Sequence, residues 1–337
     1  MAKSEPKSPV IVVAGPTASG KSRLALELAE RFGGAVINAD SMQVYGDLRI
    51  LTARPDHAAA SRAPHRLYGY LDAAERGSVA QWRELAVVEI ERAHRAARLP
   101  IVVGGTGLYL RALRQGLAPV ADIPDAIRAE AAALYDELGG EVFRARLAAL
   151  DPDAATRLPP RDRQRLLRAW EVVRATGRPL SQWHALGGPA PPFRFATILL
   201  MPPRMPLYAA CDARFSAMVQ AGALDEAAAL AARNLPPDLP AMKALGMPEL
   251  IAHARGELPL GEAIAAAQRA TRRYAKRQMT WFRHQMTADF VATAPFSSEV
   301  TEQSAAFIKA FLLTRRDSLT TVPAPSRTGP VGGVPSH

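Results

Sequence analysis

The chain has 337 residues, 48% of them hydrophobic, which is the make-up of a globular protein large enough for two domains, or one domain with an insertion. Its 42 lysines and arginines against 32 acids leave a formal charge of +10, which points to a polyanionic partner larger than a nucleotide, although an arginine-rich, high-GC genome would give the same balance. A single cysteine, Cys211, excludes a disulfide framework or a cysteine-built zinc site, agrees with a reducing compartment, and is expected to be a small buried apolar residue.

The N-terminal "MAKSEPKSPVIVVAG" carries an apolar run of only a few residues, so neither a signal peptide nor a membrane anchor is expected and a cytoplasmic protein is. "VIVVAG" (10–15) reads as a short strand. It runs into "GPTASGKS" (15–22), the pattern G-x-x-x-x-G-K-[ST] in which backbone N–H groups, a helix N-terminus and a lysine surround a polyphosphate. "KSRLALELAERFGG" follows as a helix, with Leu24, Leu28 and Phe32 on one face and glycines at its end. Strand, loop and helix are the context the pattern needs. Gly15, Pro16, Thr17, Ala18, Ser19, Gly20, Lys21 and Ser22 are therefore phosphate-binding candidates, with Lys21 reaching the terminal phosphates, Ser22 placing its hydroxyl on Mg²⁺ and Thr17 adding a hydrogen bond.

"GAVINAD" supplies a second buried strand, and Ser78 opens a helix to about Arg98, with Gln81 making a capping box. "PIVVGG" is a third buried strand, and helix-strand alternation of this kind implies a parallel sheet covered on both faces. An ordinary P-loop ATPase would carry an aspartate after that strand, and here glycines and Thr106 follow instead. The strand that does end in an acid is the second, at Asp40. A carboxylate there can take a proton from a nucleophile; "ADS" is equally good capping chemistry, and spacing alone leaves both readings open.

From about residue 113 to 192 the pattern turns to helix after helix, read as an inserted helical domain between core segments 1–112 and 193–316. "FRFATILLM" (193–201) returns to strand character, residues 260–286 form the longest helix, and "DFVAT" (289–293) is a last short strand. The tail 317–337, rich in proline, glycine and serine, is expected to be disordered. Two basic segments stand out. Arg161, Arg165 and Arg168 share a helix face while Leu166, Trp170 and Val173 pack inward; Arg269, Arg273, Lys276 and Arg283 follow helical spacing with Tyr274 and Trp281 between them. Few acids lie in either segment, and cations with interleaved aromatics suit a folded RNA, although a solvated helix face gives the same pattern.

In order along the chain, "GPTASGKS", "NADSMQVY", "TARP" with "HRL", "VGGTGLY", "DRQRLLRAWEV" and "YAKRQMTWFR" resemble the motifs of the tRNA dimethylallyltransferases, over nearly all of the sequence up to about residue 316. The resemblance implies a P-loop core with an inserted helical domain. It also implies transfer of a dimethylallyl group from dimethylallyl diphosphate, with Mg²⁺, to N6 of the adenosine just 3′ of the tRNA anticodon, adenosine 37. On that basis Asp40 is the general base, and residues Thr17 to Ser22 bind the diphosphate. Asp40, Ser41, Met42, Gln43, Thr106, Arg128, Gln164, Arg165, Leu166, Leu167 and Arg168 match positions of tRNA contact, and Arg273, Lys276 and Arg277 extend that face. Lys243, in "AMKALGMPEL", stands where an arginine would clamp the diphosphate, and Leu51 and Arg54 replace a usual glycine and lysine. The expected partners are the tRNA anticodon stem-loop and dimethylallyl diphosphate, with no membrane, and nothing demands more than a monomer. The rival readings are a small-molecule P-loop kinase, an RNA-binding ATPase, and an enzyme that prenylates free adenine nucleotides.

Overall fold

The computed structural model describes residues 7–314, so the tail 317–337 lies outside the described residues. Six parallel strands form one sheet in the order β3-β2-β4-β1-β5-β6: β1 (Ser8–Ala14), β2 (Ala35–Asn38), β3 (His65–Arg66), β4 (Pro100–Gly104), β5 (Phe193–Leu200) and β6 (Phe290–Ala292). The central β1 is buried along both faces, with Val12 opposite Val102 of β4 and Thr197 of β5. That explains why it reads as a continuous apolar run rather than an alternating one. Alternate residues feed two cores. Val10, Val12, Ile37, Val102 and Leu199 pack toward one face, while Ile11, Val13, Val36, Ile101 and Ile198 pack toward the other.

Helices α1 (Lys21–Phe32) and α13 (Ser298–Leu313) cover the second face, and α3 (Val79–Arg95) and α4 (Gly107–Gln115) cover the first together with the 3₁₀ turn Ala241–Lys243, α9 (Arg204–Gln220), α10 (Ala223–Ala232), α11 (Met247–Ala254) and α12 (Leu260–Gln285). The short α2 (His57–Arg62) lies beside α1. Ser78 caps α3 by accepting from the Gln81 N–H at 3.0 Å, a contact that contributes about 1 kcal/mol. The helix ends at Arg95, three residues short of the expected Arg98, and β3 and α13 were not legible in the sequence.

Four helices, α5 (Asp125–Ala148), α6 (Pro152–Arg157), α7 (Arg163–Thr176) and α8 (Leu180–Leu186), follow α4 and precede β5. They enclose a separate apolar cluster of Ala131, Phe143, Leu147, Leu166, Leu167 and Trp170. Gly139, at φ 70°, breaks α5 into two segments. The buried Asp151 joins this group, because Oδ1 accepts from the Ala154 N–H at 3.0 Å and from the Ser181 hydroxyl at 2.9 Å. Among the described residues no helix is long and apolar enough to cross a membrane.

Candidate phosphate-loop and acceptor site

All six strands run the same way, so their C-terminal ends deliver their loops to one edge of the sheet, where α/β proteins of this kind bind ligands. The phosphate loop joins β1 to α1 there. Gly20, at φ 87°, turns the chain into α1, and a side chain at that position would collide with Phe296. Thr17, Ser19 and Lys21 are buried; Ser22 is exposed at the first turn of the helix. The Ser19 hydroxyl is buried with no hydrogen-bond partner.

The loop is held from outside by two helices far away in sequence. Gln278 of α12 is buried and bridges two loops: its Oε1 accepts from the Thr17 N–H at 2.8 Å, and its Nε2 donates to the Gly105 carbonyl at 2.9 Å. Arg214 of α9 donates to the Thr17 hydroxyl. Cys211, one turn before it, is buried beside Ala18, as expected of a small apolar residue. Neither Gln278 nor Arg214 was picked out from the sequence. Gln278 lay inside the quoted basic segment, and its uncharged side chain among cations was the one available signal.

The second loop follows β2. Asn38, fully buried, accepts from the Asp40 N–H at 2.9 Å and donates to the Asp40 and Leu67 carbonyls at 3.0 Å each. Trp82 of α3 donates to the Asn38 carbonyl at 2.8 Å and stacks on Tyr109 of α4. Asp40 Oδ1 accepts from the Met42 N–H at 3.0 Å, so the carboxylate does organise a turn, the more conservative of the two readings left open. Oδ2 receives no protein donor among the described residues and remains available to a ligand. The strand end that lacks an acid has another task. Gly104 lies so close to Ala39 that a side chain would strike its carbonyl, and Thr106 Oγ1 accepts from the Ser41 N–H at 2.9 Å. It holds the Asp40 loop in place.

Electrostatics tie the two loops together. Burial pulls the Lys21 ammonium down to about 8, against the negative charge of Asp40, which holds it up; Arg214 lowers it further and Cys211 opposes. Burial also lowers Arg214, while Cys211 and Asp40 act the other way. Asp40 thus shares a site with both loop cations. The phenols of Tyr68 and Tyr274 are raised by burial and then by Asp40, so they remain O–H donors near the carboxylate.

The remaining candidates divide. Gln43 is half-buried beside Asp40, and Thr106 spends its hydroxyl on Ser41. Arg128, Gln164, Arg165 and Arg168 are exposed. Leu166 and Leu167, expected to touch RNA, have their side chains in the helical cluster, because that face of α7 closes the only core these helices own. The arginines of α7 are also less free than composition implied: Arg165 pairs with Asp162 at 3.4 Å and Arg168 with Glu171 at 3.8 Å. On α12, Arg273 and Lys276 are exposed with no acidic partner among the described residues, and Arg277 lies over the Tyr274 ring. Trp281 is half-buried against Gly107. Lys243 sits exposed on the turn 241–243, where its charge acts on Asp238. The cation that closes on the loop in this structure is Arg214.

A phosphate loop and a carboxylate loop at one edge of a parallel sheet, with no acid after β4, suit an enzyme that handles a phosphorylated substrate. The sequence profile described as IPP transferase matches residues 43–285. The tRNA dimethylallyltransferase of Rhodospirillum centenum is 61% identical over 282 residues, covering 83% of this chain and 90% of that protein. Among solved structures, the full-length tRNA isopentenylpyrophosphate transferase of Bacillus halodurans is 32% identical, with a TM-score of 0.65 over 91% of this chain and 97% of its own. A eukaryotic dimethylallyltransferase acting on tRNA superposes with a TM-score of 0.77 at 28% identity, over 90% of this chain and 79% of that one. The chain belongs to the IPP transferase family, and it is a prenyltransferase.

Proposed function

We propose that this chain transfers the dimethylallyl group of dimethylallyl diphosphate to N6 of adenosine 37 in the anticodon loop of tRNA. The observation that carries this reading is the tie between the two loops: Gln278 bridges the Thr17 amide and the Gly105 carbonyl, and the adjacent Thr106 holds the Ser41 N–H, which sets the Asp40 carboxylate beside the phosphate loop. The adenine amino group is a weak nucleophile because its lone pair is delocalised into the ring. Asp40 Oδ2 accepts a hydrogen bond from N6–H, which orients the amine and takes its proton as the N6–C1 bond forms. The C1–O bond breaks as this happens, and the electron pair leaves with the diphosphate. Lys21, the Arg214–Thr17 pair and the loop N–H groups stabilise the charge that develops there. The allylic carbon tolerates positive charge, so the transition state can be loose.

The donor set fits Mg²⁺ carried in by the diphosphate. Among the described residues no three His, Cys, Asp or Glu side chains converge on a metal site, and in a phosphate loop the Ser or Thr hydroxyl supplies a Mg²⁺ ligand beside the substrate phosphates. Ser22 Oγ, exposed at the start of α1, would be its protein ligand. Bound there, the ion would neutralise charge on the leaving group.

The target base leaves the anticodon-loop stack, at low cost in a flexible single-stranded loop. The exposed arginines of α7 and the unpaired cations of α12 support phosphate contacts with the stem-loop. The same reading takes the protein as a monomer that meets tRNA in the cytoplasm. The test is incubation with radiolabelled dimethylallyl diphosphate, Mg²⁺ and either tRNA or AMP. Label is expected in tRNA; label in AMP, or none, overturns the reading.

A further inference from the structure

Beside Arg214 lies a small pocket that the hydrogen-bonded part of the site does not use. Cys211, Arg214, Phe215 and Met218 line it from one stripe of α9, at the i, i+3, i+4, i+7 spacing of a helix face. Leu245 and Thr271 of α12 close it, and Leu51 forms the remaining wall. The lining offers a ligand few polar groups. The Thr271 hydroxyl is spent on the Ala267 carbonyl at 2.9 Å, and the Cys211 thiol faces the Thr17 carbonyl at 4.0 Å. Only Arg214 is charged, and it meets the phosphate loop through the Thr17 hydroxyl. Leu51, Phe215, Met218 and Leu245 make the rest apolar. A cation at a phosphate loop beside an apolar pocket suits an amphiphile with an anionic head and a short hydrocarbon tail.

Leu51 replaces a usual glycine, and two devices set its buried side chain in this wall. Gly246, at φ 88°, carries no side chain, and an added one would strike Phe215 and press on Leu51, so its absence lets those two residues approach. Glu226, in the first turn of α10, grips the backbone. Its Oε2 accepts from the Arg49 and Ile50 N–H groups at 2.7 Å each, and its Oε1 from the Leu51 N–H at 2.9 Å. Charge-assisted bonds of this sort are about twice as strong as neutral ones. The Ala53 and Arg54 N–H groups return to the Ile50 and Arg49 carbonyls at 2.9 and 3.0 Å, which closes the turn around Leu51.

We infer that this pocket takes the hydrocarbon tail of the prenyl diphosphate, that Leu51 is the wall limiting the tail to a single isoprene unit, and that Glu226 is the positioning residue that keeps Leu51 there. The inference rests on the prenyl-transfer reading proposed above. A leucine side chain is nearly the size of an isoprene unit, so a glycine in its place opens room for a tail one unit longer. An apolar pocket discriminates by volume, and one methylene more or less is worth about 10–200-fold.

The experiment measures, by calorimetry without RNA, binding of dimethylallyl diphosphate, of geranyl diphosphate, which is one isoprene unit longer, and of inorganic diphosphate. Transfer from both donors to an anticodon stem-loop is then compared. The unaltered protein should bind the shorter donor at least about tenfold more tightly. Leu51→Gly should shrink or reverse that preference by about tenfold, and Leu51→Phe should weaken dimethylallyl diphosphate itself. Glu226→Ala should shrink the preference as well, and Glu226→Gln, which keeps one acceptor oxygen for the amides, should shrink it less. Inorganic diphosphate should bind all four variants as it binds the unaltered protein, which a general loss of structure would not allow. The inference is overturned if the unaltered protein binds both donors alike, or if Leu51→Gly or Glu226→Ala keeps the full preference. Should the binding pattern hold while neither tail reaches RNA, the proposed function fails and the role of Leu51 stands.

Discussion

Two arginine-rich helices of this chain look alike in sequence and are used in opposite ways. The inward face of α12 supplies Gln278, Met279 and Phe282 to the main body, and Gln278 stitches the phosphate loop to the end of β4. The inward face of α7 closes a small core shared only with α5, α6 and α8, and its arginines meet acids of their own surroundings. Amphipathic patterning says that a helix has an inside. What that inside touches decides whether a substitution is felt at the chemistry or only at the surface.

The largest effect is expected at Asp40, in the loop beside the one that α12 holds. Asp40→Asn keeps an oxygen for the Met42 N–H, so the turn survives, but the proton acceptor is lost. Single-turnover transfer should fall about 10² to 10⁴-fold while RNA binding in a filter assay is retained; normal turnover would remove Asp40 from the chemistry. Next comes Gln278→Ala, which strands the Thr17 N–H and the Gly105 carbonyl. Thermal denaturation should record a loss of about 1–3 kcal/mol, with weaker diphosphate binding by calorimetry. An unaffected loop would erase the distinction between α12 and α7.

A third test uses pH. The free-protein ammonium of Lys21 titrates near 8, and bound phosphates raise it, so binding takes up a proton above that pH. Diphosphate affinity should be highest between the terminal-phosphate titration at ~6 and about 8, and above 8 fall by up to about tenfold per pH unit; Lys21→Met should bind weakly and lose the fall above 8. The sign for folding is opposite. Lys21 is lowered in the folded chain from 10.5 to about 8, so between those values the unfolded chain holds more protons and the stability of the free protein rises with pH. The smallest effect belongs to α7. Arg165→Gln with Arg168→Gln should reduce the salt slope of RNA binding by about two and leave diphosphate binding unchanged, since the exposed pairs they make with Asp162 and Glu171 contribute at most about 1 kcal/mol each.

Much of the core architecture was legible because its signals are local. A strand, a glycine turn and a helix within twenty-odd residues identify the phosphate loop, the acid at the end of β2 marks Asp40, and 3.6-residue periodicity places α7 and α12. The two-residue β3 is too short to carry a period, and α13 lacks a comparable cue in the sequence as read. Within α7 the inward place of Leu166 was legible from helical spacing, and Leu167 joins it in the same cluster although it shares a run with exposed arginines.

The sequence by itself determined which chemical groups are present and the local frames that carry them: a phosphate cradle, a carboxylate at a strand end, and two cationic helices. Only the tertiary structure decided which of those groups meet. Gln278 reaches the Thr17 amide from 261 residues away, Arg214 reaches the Thr17 hydroxyl from 197, and Glu226 reaches the Leu51 amide from 175. Local patterning is fixed by backbone geometry and side-chain spacing, which neighbouring residues specify. Contacts between distant segments depend on how whole faces of the sheet and helices pack, and no short window of sequence contains that information.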